Sequence, residues 1–364
     1  MITVILVGTS LTGVGGISTH MKQIFYSVLA EELHLIFFQV GSEGLKESVM
    51  QKIVRFVLSP IKLLCLLIKS KAQIVHVNTS IVPMSFWRDA IYVCIARIMG
   101  KKIIYQVHGG KLPQDFVQNC YVFGKIFKWL LRSTNITVVL LGQAELIAYR
   151  KFDPNLLLEV IPNAIEAGPD PQWKEYPSTL KKPLKLIYVG RLVKEKGIFE
   201  IIEALKLIHN KGGNIQLIIV GSGQDESMLH TLINNMGLQH MVNFLGILHN
   251  EEKTRAWEEA DLFVFPSYFL EGLPYALLES MATRTPSLVC PVGVISDVIE
   301  DGVHGFFIPP QNAQALADKI EQLDKDRALI CHMGSLCRQR ILEYYTIDRM
   351  VGDFRRTYSK ILTH

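Results

Sequence analysis

The chain has 364 residues, of which 49% are hydrophobic and 20% charged, and a net charge of +4. At roughly 150 residues per domain, that length predicts two domains with a core each. The ordinary composition argues against a disordered or collagen-like chain. A spanning helix is also disfavoured, because the most apolar stretch, residues 53–68, is broken by Arg55, Pro60 and Lys62. It falls short of the roughly 18 uncharged residues needed. Met1–Val7 has no basic n-region and reads as a first buried strand rather than a secretory leader. Cys65, Cys94, Cys120, Cys290, Cys331 and Cys337 form no Cys-x-x-Cys pair and have no His at zinc spacing, so free thiols in a reducing cytoplasm are expected. The charge is unevenly spread. Residues 1–165 hold 17 Lys and Arg against 9 Asp and Glu, whereas residues 166–364 hold 21 against 25. The basic half and the mildly acidic half are expected to meet different partners.

In chain order, β-branched runs predict strands at Thr3–Val7, His34–Gln39, Ile74–Val77, Lys102–Val107 and Ile136–Leu141 in the first half. The second half repeats the pattern at Lys185–Val189, Ile215–Val220, Val242–Leu245, Leu262–Pro266 and Ser287–Cys290. Short, nearly continuous apolar strands separated by helical patterns predict parallel sheets covered on both faces, twice over. The domains read as 1–165 and 183–345, joined by a Pro-rich linker over 166–182. Residues 346–364 form a C-terminal helix expected to return to the first domain. Ligands of such sheets sit at the carboxyl ends of the strands, so the segments after each strand carry the argument.

After the first strand, Gly8-Thr-Ser-Leu-Thr-Gly-Val-Gly15-Gly16 leads into a helix near Ile17. Glycine amides at a helix N-terminus suit a phosphate or a sugar, or simply a tight turn. The loop is not the dinucleotide fingerprint, since Ser18 holds the third glycine position, and no P-loop Lys follows. The fourth strand ends in His108-Gly109-Gly110, which puts an imidazole at a sheet end. In the second half, Gly190-Arg191 and Lys196-Gly197 follow the first strand. Two cations on one loop can grip a diphosphate. Val220-Gly-Ser-Gly223 and Phe244–Leu248 follow the next two strands, the latter offering backbone groups to a base.

The most specific segment is Glu271-Gly272-Leu273-Pro274-Tyr275-Ala-Leu-Leu-Glu279, with a helix starting near Pro274. Glu279 lies among Ala276, Leu277, Leu278, Met281 and Ala282, where an unpaired charge is costly, so it is expected to have a ligand or a partner. A glycosidase would also use two carboxylates, but that reading leaves Arg191 and Lys196 unexplained. Asp324-Lys-Asp326 lies in a charged, helix-like stretch rather than after a strand, so no metal site is expected there.

With these residues in view, the chain resembles a retaining glycosyltransferase of the GT-B fold, and family four most of all, over nearly its whole length. The resemblance rests on the Glu271/Glu279 spacing, Gly190-Arg191 with Lys196-Gly197, His108-Gly109, the Gly15-Gly16 loop and Val160-Ile-Pro-Asn163. It implies two doubly wound α/β domains facing a cleft and a nucleotide-diphosphate sugar as donor, most simply a UDP-sugar. By the same resemblance, Arg191 and Lys196 bind the donor diphosphate and Glu279 the ribose hydroxyls. Glu271 and the amides of Gly272, Leu273 and Tyr275 contact the transferred sugar and nearby phosphate, His108 lies beside the sugar, and Gly16 approaches the phosphate. Pro274 stands where many members have Gly, so its amide is missing from that set. The implied enzyme is a retaining, metal-independent hexosyltransferase without a cofactor. A nucleotide-sugar epimerase, a catalytically silent scaffold of the same fold and a nicotinamide oxidoreductase are the alternatives.

The basic half bears on location. Wound as a helix, Cys120–Arg132 brings Lys125, Lys128, Trp129 and Arg132 onto one side with Tyr121, and a second helix from Ser59-Pro60 aligns Lys62 with Lys69. Cations interleaved with Trp and Tyr suit a helix lying in a membrane interface. These features predict a peripheral enzyme on the cytoplasmic face of the membrane, acting on a lipid-linked or oligosaccharide acceptor in bacterial surface-polysaccharide assembly. No recognition motif for nucleic acid accompanies the charge.

Overall fold

The computed structural model describes residues 1–13, 15–41, 48–117, 121–171 and 182–363. Most of the expected linker, Val14 of the first glycine loop and Cys120 at the start of the expected basic helix lie outside the described residues. The chain forms two compact units: Met1–Ala164 with Ile347–His364, and Ile165–Thr346.

The first unit is a six-stranded sheet of β1 (Thr3–Gly8), β2 (His34–Gln39), β3 (Ile74–Ile81), β4 (Lys102–Gly110), β5 (Ile136–Leu140) and β6 (Leu158–Val160). Its order is β2-β1-β3-β4-β5-β6, and every pairing is parallel. All six residues of β1 are buried, as a strand covered on both faces requires. Alternate side chains divide between two layers. Ile5 and Val7 pack with Leu63, Leu67, Phe86 and Phe127 from the helices Val49–Ser70, Pro83–Ile98 and Tyr121–Leu131. Val4 and Leu6 pack with Met21 and Ile24 of the helix Gly16–Phe25 and with Phe354 and Tyr358 of the helix Ile347–Thr363. Phe354 is fully buried, so its truncation to Ala would cost about 3–5 kcal/mol.

The second unit holds β7 (Leu184–Val189), β8 (Ile215–Val220), β9 (Val242–Gly246), β10 (Leu262–Phe265), β11 (Ser287–Val289) and β12 (Gly305–Phe307). The order is β12-β11-β10-β7-β8-β9, again parallel. Strand order therefore reverses between β7 and β10, and the crevice beyond the carboxyl ends of these strands is where such sheets bind ligands. Both units are Rossmann-like and α/β, the GT-B fold.

The structure differs from the sequence expectation in three places. The edge strands β6 and β12 escape a reading by apolar runs, because three residues paired with one neighbour give too short a run to read. The helix expected to begin at Ser59-Pro60 begins at Val49 instead. Ser48 caps it: its hydroxyl accepts from the Gln51 amide while the Gln51 side chain accepts from the Ser48 amide. Pro60 then sits inside the helix, where it has no N–H for the carbonyl of Phe56. The Ser59 hydroxyl donates to that carbonyl at 3.3 Å, which explains why proline is tolerated. Cys65, Cys94, Cys290, Cys331 and Cys337 are free thiols. No helix among the described residues is long and apolar enough to cross a membrane.

Candidate active site

The loops after β7 and β10 meet at the point of strand reversal. A short turn at Lys194–Lys196 follows Gly190-Arg191, then Gly197 opens the helix Ile198–Asn210. Gly197 has φ +76°, and a Cβ there would lie 2.3 Å from the carbonyl oxygen of Pro266, so only glycine lets the two loops touch. This contact buries Lys196. Its ammonium forms a salt bridge with Glu271, and the Ser267 hydroxyl donates to the same carboxylate oxygen at 2.7 Å. The rings of Phe265 and Phe269 lie 5.5 and 5.4 Å from the ammonium. A cation held by one carboxylate between two aromatic faces is desolvated and poised to exchange partners. Gly293 packs against the backbone of Glu271. It has φ +56°, and a Cβ would lie 2.0 Å from the Glu271 carbonyl.

Arg191 stays exposed, and its carbonyl accepts from the Tyr188 hydroxyl at 2.7 Å. The structure thus brings Lys196 and Glu271 together and leaves the Arg191 guanidinium facing solvent.

Glu279 lies in the helix Tyr275–Ala282, with Pro274 as its N-cap. Leu273 is buried at its entry, and the first amides of the helix form its positive end. The charge of Glu279 has its expected partner: the Lys253 ammonium lies 2.6 Å from one carboxylate oxygen, and the Trp257 indole N–H donates to the other at 3.2 Å. Lys253 and Trp257 share one face of the helix Asn250–Glu259. Neither residue is singled out by the sequence, nor are Ser267 and Gly293.

In the first unit, Gly15 caps the helix Gly16–Phe25, and the space where a Cβ would project from it is open. The Ser18 hydroxyl, in place of the third fingerprint glycine, lies 3.0 Å from that of Thr9. At the end of β4, the Nε2 atom of His108 donates to the Asn78 side-chain oxygen at 2.9 Å, which leaves Nδ1 as an acceptor. His108 is half-buried and adjoins two buried histidines, His20, at 4.7 Å between ring centroids, and His76. The oxygen of Gln106 accepts from His20 at 2.9 Å and from His76 at 2.8 Å, and the Tyr358 hydroxyl is 2.8 Å from Nδ1 of His76. Burial first, and then the neighbouring rings, lower His20 to about 3 and His108 well below the ordinary imidazole value; burial lowers His76 to about 4. All three rings are neutral at pH 7.

On the basic helix, Lys125 stacks over Tyr121 and Lys128 over Phe152, while Arg97 lies over Trp129. Arg132 binds the buried carboxylate of Asp153 in two hydrogen bonds, so its charge is spent within the fold. Asp324 pairs with Arg327, and Asp326 caps the helix Arg327–Tyr344. Among the described residues no group of His, Cys, Asp and Glu is arranged to hold a metal.

Residues 171–339 match the family model described as glycosyl transferases group 1. The matched segment, just under half of the chain, is similar to a group 1 glycosyltransferase domain. Every residue of the Lys196–Glu271 and Lys253–Glu279 pairs falls inside it. The chain is 35% identical over 167 residues to the amylovoran biosynthesis glycosyltransferase AmsK of Erwinia amylovora, covering 44% of this chain and 41% of that protein. It is 28% identical to the capsular polysaccharide biosynthesis glycosyltransferase CapM of Staphylococcus aureus, covering 64% of this chain and 57% of that one. The chain spans about half the length of the curated relatives it matches. In fold it is similar to Anabaena Alr3699/HepE, solved in complex with UDP-glucose, with a TM-score of 0.76, 17% identity and coverage of 99% and 100%.

Proposed function

We propose that this chain is a retaining glycosyltransferase that moves a hexose or N-acetylhexosamine from a nucleoside-diphosphate sugar, most simply a UDP-sugar, to a lipid-linked or oligosaccharide acceptor in surface-polysaccharide assembly. The observation that carries this reading is the buried Lys196–Glu271 pair at the reversal between β7 and β10. As the anomeric C–O bond breaks, negative charge grows on the leaving diphosphate. Lys196, Arg191 and the amides at Gly272, Leu273 and Tyr275 stabilise that charge more in the transition state than in the ground state. Glu279, aimed by Lys253 and Trp257, takes the ribose hydroxyls. Glu271 takes the sugar hydroxyls, while His108 serves the sugar and Gly15-Gly16 the phosphate. In the retaining route the acceptor oxygen bonds to the anomeric carbon on the face the leaving group vacates, and the acceptor proton passes to the departing phosphate oxygen. These cations and amides supply the charge stabilisation that a metal would otherwise provide.

The capsular and amylovoran relatives support the polysaccharide setting, and the UDP-glucose complex of the structural neighbour supports the donor. Thermal shift of the purified protein with UDP, GDP and ADP tests the donor assignment. The largest shift is expected with UDP, and a larger shift with GDP would overturn it.

We also read the protein as peripheral on the cytoplasmic membrane face, the anionic leaflet being met by the basic first unit. Lys125, Lys128 and Trp129 support this, whereas the pairing of Arg132 with Asp153 gives that residue a structural role. Co-sedimentation with anionic vesicles, falling as salt rises, is the expected result.

A further inference from the structure

The helix Val49–Ser70 changes character at Pro60. Beyond it, Leu63 and Leu67 are buried in the first core. Before it, no residue from Val49 to Leu58 is buried. Val49 is 75% exposed, Ile53 54% and Val57 61%. These ten residues form an arm about 15 Å long at 1.5 Å per residue, apolar on most sides and interrupted only by Gln51, Lys52 and Arg55. Its base is anchored: Ser59 is buried and its hydroxyl lies 2.6 Å from that of Tyr92 on the helix Pro83–Ile98.

Two further helices of the same unit also expose aromatic side chains. Trp87 and Phe123 are both exposed, with ring centroids 5.5 Å apart, and so join the helix Pro83–Ile98 to the helix Tyr121–Leu131. Soluble monomers rarely leave a run of apolar side chains such as Val49, Ile53 and Val57 in water. Its charge says what covers it. The three helices carry eight Lys and Arg and a single acid, Asp89, which is fully buried against Arg88. Two copies of this face would set like charges against each other, which is unfavourable. An anionic lipid surface complements it.

We propose that the Val49–Leu58 arm is the membrane-inserting element of this chain, lying in the plane of an anionic bilayer at the boundary of headgroups and acyl chains. Ile53, Phe56 and Val57 enter the acyl region, Lys52 and Arg55 reach lipid phosphates, and Trp87 and Trp129 stand at headgroup level. The inference rests on the membrane-surface reading above and moves the insertion from the basic helix Tyr121–Leu131 to the arm.

The test is co-sedimentation of the full chain with vesicles of phosphatidylethanolamine and phosphatidylglycerol, and with vesicles of phosphatidylcholine alone. Ile53→Asp with Val57→Asp should lower affinity for the anionic vesicles by about tenfold or more and leave the melting temperature and the UDP shift unchanged, since both side chains are exposed. Lys125→Glu should have the smaller effect. Phe56→Trp adds an independent reading, a blue shift of its emission on addition of anionic vesicles. Equal binding by the wild type and the double variant, with no Phe56→Trp shift, would overturn the arm while the membrane reading stands. Wild-type protein left in the supernatant with every vesicle would overturn both and leave the nucleotide reading intact. A concentration-dependent dimer abolished by the double variant would assign the face to a second copy instead.

Discussion

Lys196 and Glu271, 75 residues apart in the chain, form a salt bridge between Phe265 and Phe269, and Ser267 donates to the same carboxylate. On the proposed function, the carboxylate and an incoming diphosphate compete for one ammonium. Glu271→Gln keeps the acceptor oxygen but removes its charge. UDP affinity should hold or tighten, while sugar transfer falls by at least about tenfold, the loss of one charge-assisted contact. Calorimetric titration beside a turnover assay separates the two. A loss of UDP affinity matching the loss of turnover would put Glu271 on the nucleotide instead.

Glu279 is aimed by Lys253 and Trp257 from a neighbouring helix. Glu279→Ala should weaken UDP by about 1.5–3 kcal/mol, the value of hydrogen bonds to a charged group, and Lys253→Ala by less. Against 2′,3′-dideoxy-UDP, which lacks the ribose hydroxyls, the penalty of Glu279→Ala should nearly vanish. An equal penalty with both nucleotides would remove the ribose from the account.

The cluster of His20, His76 and half-buried His108 sets a pH limit on the first unit. In the folded chain burial lowers all three, His20 to about 3 and His76 to about 4, whereas the unfolded value is near 6.5. Below pH 6.5 the unfolded chain binds more protons, so stability falls with falling pH at roughly 1.4 kcal/mol per pH unit for each histidine. The loss runs from pH 6.5 down to the folded values. Urea midpoints at pH 7, 6 and 5 should fall steeply, and His76→Gln should flatten the slope by about one histidine's share. Identical slopes would assign the acid sensitivity to other groups.

If Lys196, Arg191 and the helix amides hold the leaving diphosphate, turnover should survive exhaustive EDTA treatment. Activity lost in EDTA and restored by Mn²⁺ would show that a metal takes that role.

Ten of the twelve strands among the described residues were legible from their own apolar, β-branched runs, the partly exposed edge strands β2 and β9 included. The edge strands β6 and β12 were not, since three residues paired with one neighbour give too short a run to read. The start of the helix Val49–Ser70 was missed because Pro60 read as a first-turn residue, while the capping box at Ser48 and Gln51 lay eleven residues upstream of Ser59. In the candidate site, Glu271 and Glu279 were legible from their spacing and from the apolar setting of Glu279. Lys253 was not, because an exposed-looking Lys in a charged helix gives no local sign that it meets Glu279 across the fold. That Lys196 is held by Glu271, rather than left beside Arg191 for a ligand alone, depends on the close backbone contacts of Gly197 and Gly293, which no local pattern reveals.

The most direct test of the central claim is release of nucleoside diphosphate from UDP-glucose, UDP-galactose, UDP-N-acetylglucosamine and GDP-mannose, each with a polyprenyl-diphosphate-linked sugar as acceptor. The wild-type chain should release UDP from at least one UDP-sugar in an acceptor-dependent way. Lys196→Ala should reduce that rate about 10²–10³-fold, the effect of removing one preplaced group at a developing oxyanion. Release by Lys196→Ala at the wild-type rate, or no release from any donor by a folded wild-type protein that binds UDP, would contradict the account.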